Sequence, residues 1–576
     1  MSLDPITTEI VSNRLREVAA TMEHALYHSG YSPILRESRD CSSGLADANG
    51  RVLVVGGGIQ IHSIPYQQAI NSIIARHGRE RLAPGQTYIV NDPYLAGNPH
   101  LPDMVTVTPA FYGDRLIGFG VSIAHKADIG GIVPGSSGGA AREIWHDGLI
   151  LPPLLYQTGD RVNEAVEAII RANSRIPDVV IGDLRGQIGS TRLGAMRLAA
   201  LCDEYGVDTM RQAMDDLLLR TAKRLRAEIA PWSDGTAEAE NLLDHDAANR
   251  DRPVRIAVKV TKVGDRVIFD YSGCDPQTIG PVNCNPWTVR AASLLALLAS
   301  TDPSIPVNSG LLDCVEFIIP EGLVVNPRHP ATINHYFPTI QLVYGATLAC
   351  LGKLHPERAV APAGLGCGAT AIGYAKSRTG KRTVQYELAV TALGGTSAHD
   401  GASIVQPMNH LTTGAPVEIV ESEYPLRVRR YDIWQDSAGA GRQRGGVGYV
   451  REFEMLEDCV VTMRGSNHKF AASGLAGGLR PLTSRTTINP GLSSERALSA
   501  IETNQMHAGE LFRMERSGGG GYGPPTERSP KLVLQDVLDG YVSVAAARDL
   551  YGVVIDMGRE QIDEEATRKR RQLSAS

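Results

Sequence analysis

Asn91-Asp92-Pro93-Tyr94, then Asn98-Pro99-His100-Leu101-Pro102-Asp103, then Gly118-Phe119-Gly120-Val121-Ser122-Ile123-Ala124 running into His125-Lys126-Ala127-Asp128-Ile129-Gly130-Gly131, form the stretch whose reading decides the fold. Pro99 and Pro102 argue against a regular helix through His100, so His100 and Asp103 are expected on a tight loop. The apolar run 118–124 reads as a buried strand. His125 then stands at a strand end, where a rigid scaffold holds a functional loop. Carboxylate oxygen and imidazole nitrogen suit divalent zinc, manganese or iron. The competing reading is that these histidines and aspartates merely cap turns. No H-E-x-x-H signature is present, so spacing alone leaves both readings open.

Working outward, 576 residues suggest three or four domains at about 150 residues each. A net charge of -6 disfavours non-specific nucleic-acid binding. The longest apolar run, near residues 291–299, is about half of a membrane span. The N-terminus carries Asp4 and Glu9 and lacks a basic-then-apolar leader pattern. Eight cysteines contain no C-x-x-C pair, which suits reduced thiols and a cytoplasmic protein. Cys41 is read as a small core residue.

Asp4-Pro5 reads as a helix cap and first position, followed by Ile6, Ile10, Leu15, Val18, Met22 and Leu26 at helical spacing and a stop at Gly30. His24 and His28 on that helix are read as surface or packing residues. Around Asn49-Gly50 a hairpin is expected, with Asp40 at its edge. His62 leads into a helical pattern and is read as a pocket-lining, core or capping residue. Gly135-Ser136-Ser137-Gly138-Gly139 matches G-x-S-x-G by letter, but a nucleophile elbow needs a strand before it and a helix after it, and Pro134 and Gly138-Gly139 favour a loop. A long helical region follows from about 188 to 228. From Val254 the alternation turns to strands, and Asn334-His335-Tyr336 is a candidate cleft lining. Gly439-Ala440-Gly441-Arg442-Gln443-Arg444-Gly445-Gly446 is read as a glycine-rich interface in preference to an anion site. The glycine run 518–521 matches a dinucleotide fingerprint trivially and is discarded. The expected fold class is α+β, with several subdomains, mixed and antiparallel sheets and an N-terminal metal-binding α/β region. The expected domains are 1–232, 233–413 and 414–576.

The stretch from Asn91 through Gly131, the segment around Asp40, Gly182-Asp183-Leu184-Arg185-Gly186-Gln187 and the glycine-rich region together resemble the hydantoinase B/oxoprolinase family. That resemblance implies a metal held by Asp40, His100, Asp103 and His125, zinc in the first place and manganese or iron otherwise. It implies catalytic roles for His100, His125, Asp103 and Asp128, the last as an acceptor orienting a histidine or as a further ligand. Cys41 replaces a common aromatic, and His146-Asp147-Gly148 replaces Gln-Glu-Gly, which puts a direct role for Asp147 in doubt. No Walker A loop is present; Thr379-Gly380-Lys381-Arg382-Thr383 comes closest, with Arg382 where a magnesium-binding hydroxyl belongs. By resemblance, ATP and magnesium then belong to a separate A subunit in an A2B2 assembly. The implied reaction is ATP-dependent hydrolysis of hydantoin, 5-oxoproline or another lactam. The alternatives are a subunit of a ketone carboxylase of the acetone or acetophenone type, and a non-catalytic scaffold for the A subunit.

Overall fold

The architecture was taken from a computed structural model that describes residues 3–364, 368–375, 380–405, 408 and 412–575. The Thr379 end of the Walker-like segment lies outside the described residues.

The chain opens with the helix Pro5–Ser29, where Asp4 accepts the Thr7 amide at 3.0 Å. Its inward face is Val11, Leu15, Val18, Met22 and Leu26; Ile6 and Ile10, expected on that face, are 69% and 46% exposed. Strands β1 (Cys41–Asp47), β2 (Val52–Val55), β3 (Gln86–Val90), β4 (Asp103–Tyr112), β5 (Arg115–His125), β6 (Leu154–Thr158) and β7 (Arg161–Val162) follow. They form one sheet in the order β2-β1-β5-β4-β3-β6-β7, with antiparallel pairing throughout. The expected Asn49-Gly50 hairpin joins β1 to β2.

Helices cover both faces of this sheet. Pro5–Ser29, Pro177–Tyr205 and Val207–Ile229 share a core with Leu45, Leu53 and Ala110. Ser63–His77 packs on Val105, Val107, Phe119, Val121 and Ile123 from the other side. Two-sided burial explains why β5 reads as a continuous apolar run and not as alternation. The long helical region is two helices broken at Gly206. Gln187 ties the first of them to the sheet, donating to Met104 O at 2.8 Å and Ser122 O at 3.0 Å and accepting from Lys126 Nζ at 2.7 Å. The seam is tight at Gly120, where an added Cβ would lie 2.3 Å from Thr191 O.

A second sheet, β8 (Gly235–Leu243), β9 (Val254–Val263), β10 (Arg266–Asp270) and β11 (Val315–Ile318), runs in the order β11-β10-β9-β8 under the helices Pro286–Ala299 and Tyr336–Leu354. Much of the remaining chain builds a sandwich, and the helices Pro530–Leu538, Val544–Asp549 and Glu564–Ala575 follow it, the first two around a small core of their own. One sheet holds β12 (Gly368–Tyr374) and β13 (Thr383–Ala389); β14 (Leu426–Ile433) and β15 (Tyr449–Met455) belong to the other. The first sheet is completed by β16 (Cys459–Arg464) and, later in the chain, β19 (Ile501–Met506). The second takes up β17 (Arg485–Ile488), β18 (Arg496–Ala497) and β20 (Leu511–Arg516). Ile372, Val461 and Met463 meet Phe453, Phe512 and Met514 between the two sheets. Helices and mixed sheets in several packed units make this an α+β chain. Among the described residues no helix is long and apolar enough to cross a membrane.

The glycine-rich segments are a packing device. Gly395 donates to Gly520 O, Gly439 to Gly519 O and Gly519 to Gly446 O, at 2.8–2.9 Å. Backbones approach so closely that a Cβ on Gly519 would sit 2.0 Å from Leu393 O. Arg444 is committed to Asp536 at 3.2 Å, and Asp536 also accepts from Arg528 at 2.9 Å. That arrangement fits the glycine-interface reading and leaves no cationic cradle at Arg444.

Gly120→Ala is expected to destabilise the chain by about 1–3 kcal/mol through overpacking and to lower its thermal midpoint. Gly189→Ala, on the same helix but with nothing within 4 Å of the added Cβ, should leave the midpoint unchanged or raise it. Equal midpoints in the two variants contradict a tight seam.

Candidate metal centre

The polar residues of the opening motif build the loop that presents His100. Asp92 caps the short helix Pro93–Ala96, accepting the Tyr94 amide at 2.9 Å. Asn98 Nδ2 donates to Asn91 O at 2.9 Å and His100 O at 2.7 Å. Asn91 Nδ2 donates to Leu101 O at 2.8 Å and Leu149 O at 2.9 Å. Asp103, expected on that loop, instead opens β4 and stands directly opposite His125 in the β4–β5 ladder.

Three donor atoms therefore converge. His125 Nδ1 lies 3.1 Å from Asp103 Oδ1 and 3.2 Å from His100 Nε2, and His100 Nε2 lies 3.3 Å from Asp103 Oδ1. Among the described residues this is the group of candidate ligands whose donor atoms all lie within 4.8 Å of one another. A cation held at ~2.0–2.1 Å by nitrogen and oxygen ligands needs neighbouring donors about 3.0–3.4 Å apart, so the spacing fits one ion. All three side chains are buried. His100 Nδ1 faces Asn334 Oδ1 at 2.8 Å and Asn334 O at 3.1 Å. Both partners are acceptors, so Nδ1 carries the proton and Nε2 turns its lone pair to the centre. Burial takes the His125 pKa down to about 4, which keeps the ring neutral as a ligand must be. Burial would raise the Asp103 pKa, but His100 and His125 hold it well below the ordinary value. Asp103 Oδ2 and His125 Nε2 have no hydrogen-bond partner.

The other expected ligands are placed differently. Asp40 precedes β1, and its carbonyl accepts the His125 amide at 3.1 Å. Its carboxyl stays outside the 4.8 Å group. Burial, then the Asp103 charge, push its pKa up to about 8 against the opposing pull of Arg464. Asp128 does not orient a histidine. Its two oxygens take the Arg175 amide at 2.9 Å, the Gly130 amide at 3.2 Å, the Gly135 amide at 2.9 Å and Arg175 Nη1 at 3.0 Å. Asn334 occupies the role assigned to Asp128. Asp147 is tied to Thr332 Oγ1 at 2.6 Å. Ser137 is 3.5 Å from His335 Nε2, whose nearer partner is Ser137's own carbonyl at 3.1 Å; that ring nitrogen donates and cannot act as base for the hydroxyl.

His62 joins the wall, its Nε2 4.0 Å from Asp103 Oδ2 and its Nδ1 2.9 Å from Ser42 Oγ. Tyr336 packs on His100 with ring centroids 5.0 Å apart, and Tyr386 on His125 at 4.4 Å. Arg464 lies over Tyr386 at 4.9 Å. Tyr386 and Arg464 come from strands of the C-terminal sandwich and carry no local motif that would have flagged them.

The chain matches the hydantoinase B/oxoprolinase family over residues 4–525 and belongs to it. A Pseudomonas sp. (strain NS671) protein provisionally described as the B component of a D-/L-hydantoinase is 32% identical over 99% of this chain and 98% of its own. The crystal structure of an ATP-dependent caprolactamase from Pseudomonas jessenii superposes with a TM-score of 0.91 at 27% identity, covering 99% of this chain and 100% of that one. Acetone carboxylase in its nucleotide-free form shares the fold, with a TM-score of 0.92 at 20% identity over 99% of this chain and 83% of that one.

His100→Ala and His125→Ala are expected to lose bound metal on dialysis, and Asn334→Ala to weaken metal affinity about 10–100-fold, all read by elemental analysis. Full metal content in either histidine variant contradicts the site. Asp40, whose pKa is raised to about 8, is protonated below that pH. Metal loading at pH 7 should therefore expel about one proton, an effect that fades as the pH rises past 8. Calorimetry in buffers of different ionisation enthalpy should show that release absent in Asp40→Asn; equal release in the variant contradicts the assignment.

Proposed function

We propose that this chain is the metal-holding B subunit of an ATP-dependent cyclic-amide hydrolase, working in the cytoplasm with a separate ATP-binding A subunit in an A2B2 assembly. The observation that carries the reading is the convergence of His100, Asp103 and His125 on one centre. Family membership and the hydantoinase and caprolactamase names carried by relatives support it.

An unstrained lactam is a poor electrophile. Transfer of a phosphoryl group from ATP to the amide oxygen, on the A subunit, would give an activated imidate phosphate. His100, Asp103 and His125 would hold a divalent ion, zinc by their donor set, and that ion would supply Lewis acidity and lower the pKa of water toward neutrality. The residues of this chain do the rest. Asn334 fixes the His100 tautomer, and Tyr336 and Tyr386 wall the centre from solvent. In this reading Asp40, once metal loading has expelled its proton, accepts the proton of the attacking water and returns it to the ring nitrogen as the C–N bond breaks. Water thus adds to the former carbonyl carbon, the ring nitrogen leaves as the amine, and the phosphoryl group departs in a second hydrolysis.

The test is co-expression with the A-type partner and assay on hydantoin, 5-oxoproline, caprolactam and acetophenone, with and without bicarbonate. ATP-dependent opening of a cyclic amide is expected only with both chains present. ATP hydrolysis by this chain alone, or bicarbonate-dependent consumption of the ketone, would overturn the reading.

A further inference from the structure

Arg464 ends β16 and points from the C-terminal sandwich toward the triad. It is only 5% exposed. Its hydrogen bond among the described residues runs from Nη1 to Asn334 O at 3.3 Å. Among those residues no carboxylate oxygen lies within ion-pair reach, 4.0 Å, of the guanidinium. Two other buried arginines are matched: Arg451 pairs with Glu387, and Arg528 with Asp536 and Asp400. A guanidinium cannot shed its charge by losing a proton, and a buried unpaired cation calls for a compensating anion. Of the nearby carboxylates, Asp103 faces His100 and His125, and Asp40 lies beyond ion-pair reach of Arg464. With a divalent ion bound and both carboxylates ionised, the centre would still carry one net positive charge.

Two more polar atoms point to an occupant. His125 Nε2 and His335 Nδ1 are buried without a partner. His335 donates from Nε2 to Ser137 O, so its Nδ1 is a bare acceptor. His125, with Nδ1 turned to the metal, presents Nε2–H as a donor.

We propose that Arg464 and His125 Nε2–H form an oxyanion subsite beside the triad, with His335 Nδ1 as its acceptor for a ring N–H. The inference rests on the reading of the triad as a metal-holding catalytic centre. The oxyanion has two chemical sources: a carboxylate carried on the substrate ring, or the phosphoryl group of the activated amide. A guanidinium offers paired N–H donors to either.

The test uses the full chain, both EDTA-treated and zinc-loaded, so that an anion held by Arg464 is separated from one held by metal. Calorimetric titration compares inorganic phosphate as the phosphoryl probe, 5-oxoproline as the carboxylate probe, and 2-pyrrolidinone as the same ring without the carboxylate. Zinc-loaded wild type should bind one of the two anions, and more tightly than the EDTA-treated chain. Phosphate identifies a phosphoryl site, and 5-oxoproline in preference to 2-pyrrolidinone identifies a carboxylate site. Arg464→Gln should weaken that binding about 10–100-fold with zinc content unchanged, Arg464→Lys should lie between the two, and added guanidinium should partly restore Arg464→Gln. Equal binding in Arg464→Gln and wild type, absence of binding of both anions to wild type, or loss of zinc in Arg464→Gln would each overturn the proposal. Arg464-dependent binding of an anion by a chain that opens no cyclic amide keeps the subsite and removes the hydrolase; turnover indifferent to Arg464 does the reverse.

Discussion

The register of β4 against β5 is the constraint on which the rest depends. It sets Asp103 opposite His125 at the same end of the hairpin. A slip of one residue would turn every side chain of β4 to the other face, removing the carboxylate from the centre and setting Val105 and Val107 against the helix Pro177–Tyr205 in place of Ser63–His77. The core thus enforces the register, and the register places the ligands. β1 pairs with the far side of β5, Cys41 against Ala124, so Asp40 lies one step beyond the same edge. Strands stand about 4.7–4.9 Å apart, so the ends of three neighbouring strands bring Asp40, His125 and Asp103 together without any special loop.

What the sheet begins, the rest of the chain encloses. Asn334, Tyr336, Tyr386 and Arg464 close over the strand ends from the central and C-terminal regions. Burial then does chemical work at each group. It holds His125 neutral and Asp40 protonated, and it sharpens the interaction of each with any charge admitted. A buried centre with two imidazoles, an ionised carboxylate and a guanidinium outside ion-pair reach of the described carboxylates is poised for a cation and an anion together. That pairing is what an activated amide and its Lewis acid would provide.

Much of this was legible in the sequence because the key residues sit in local punctuation. Pro99, Pro102 and the apolar run into His125 mark a loop and a strand end, where His100 and His125 stand, while Asp103, expected on the loop, begins a strand. Asp128 misled because proximity along the chain is no guide to reach: its carboxylate turns to Arg175 and three loop amides. Asn334 lay in a stretch flagged only as a cleft lining. Tyr386 and Arg464 were invisible because their part comes from sheet packing across the molecule, which no local pattern encodes. Ile6 and Ile10 are exposed because, at 3.6 residues per turn, they point away from the face of Val11, Leu15, Val18, Met22 and Leu26; Thr8 and Val11 in the same turns are buried.

Anomalous diffraction at the zinc edge, on crystals of the full chain grown with the metal, tests the central claim most directly. The expected result is one strong peak about 2.0–2.2 Å from His100 Nε2, Asp103 Oδ1 and His125 Nδ1. A fully folded chain with no peak at that centre, or with its metal elsewhere, would contradict the account.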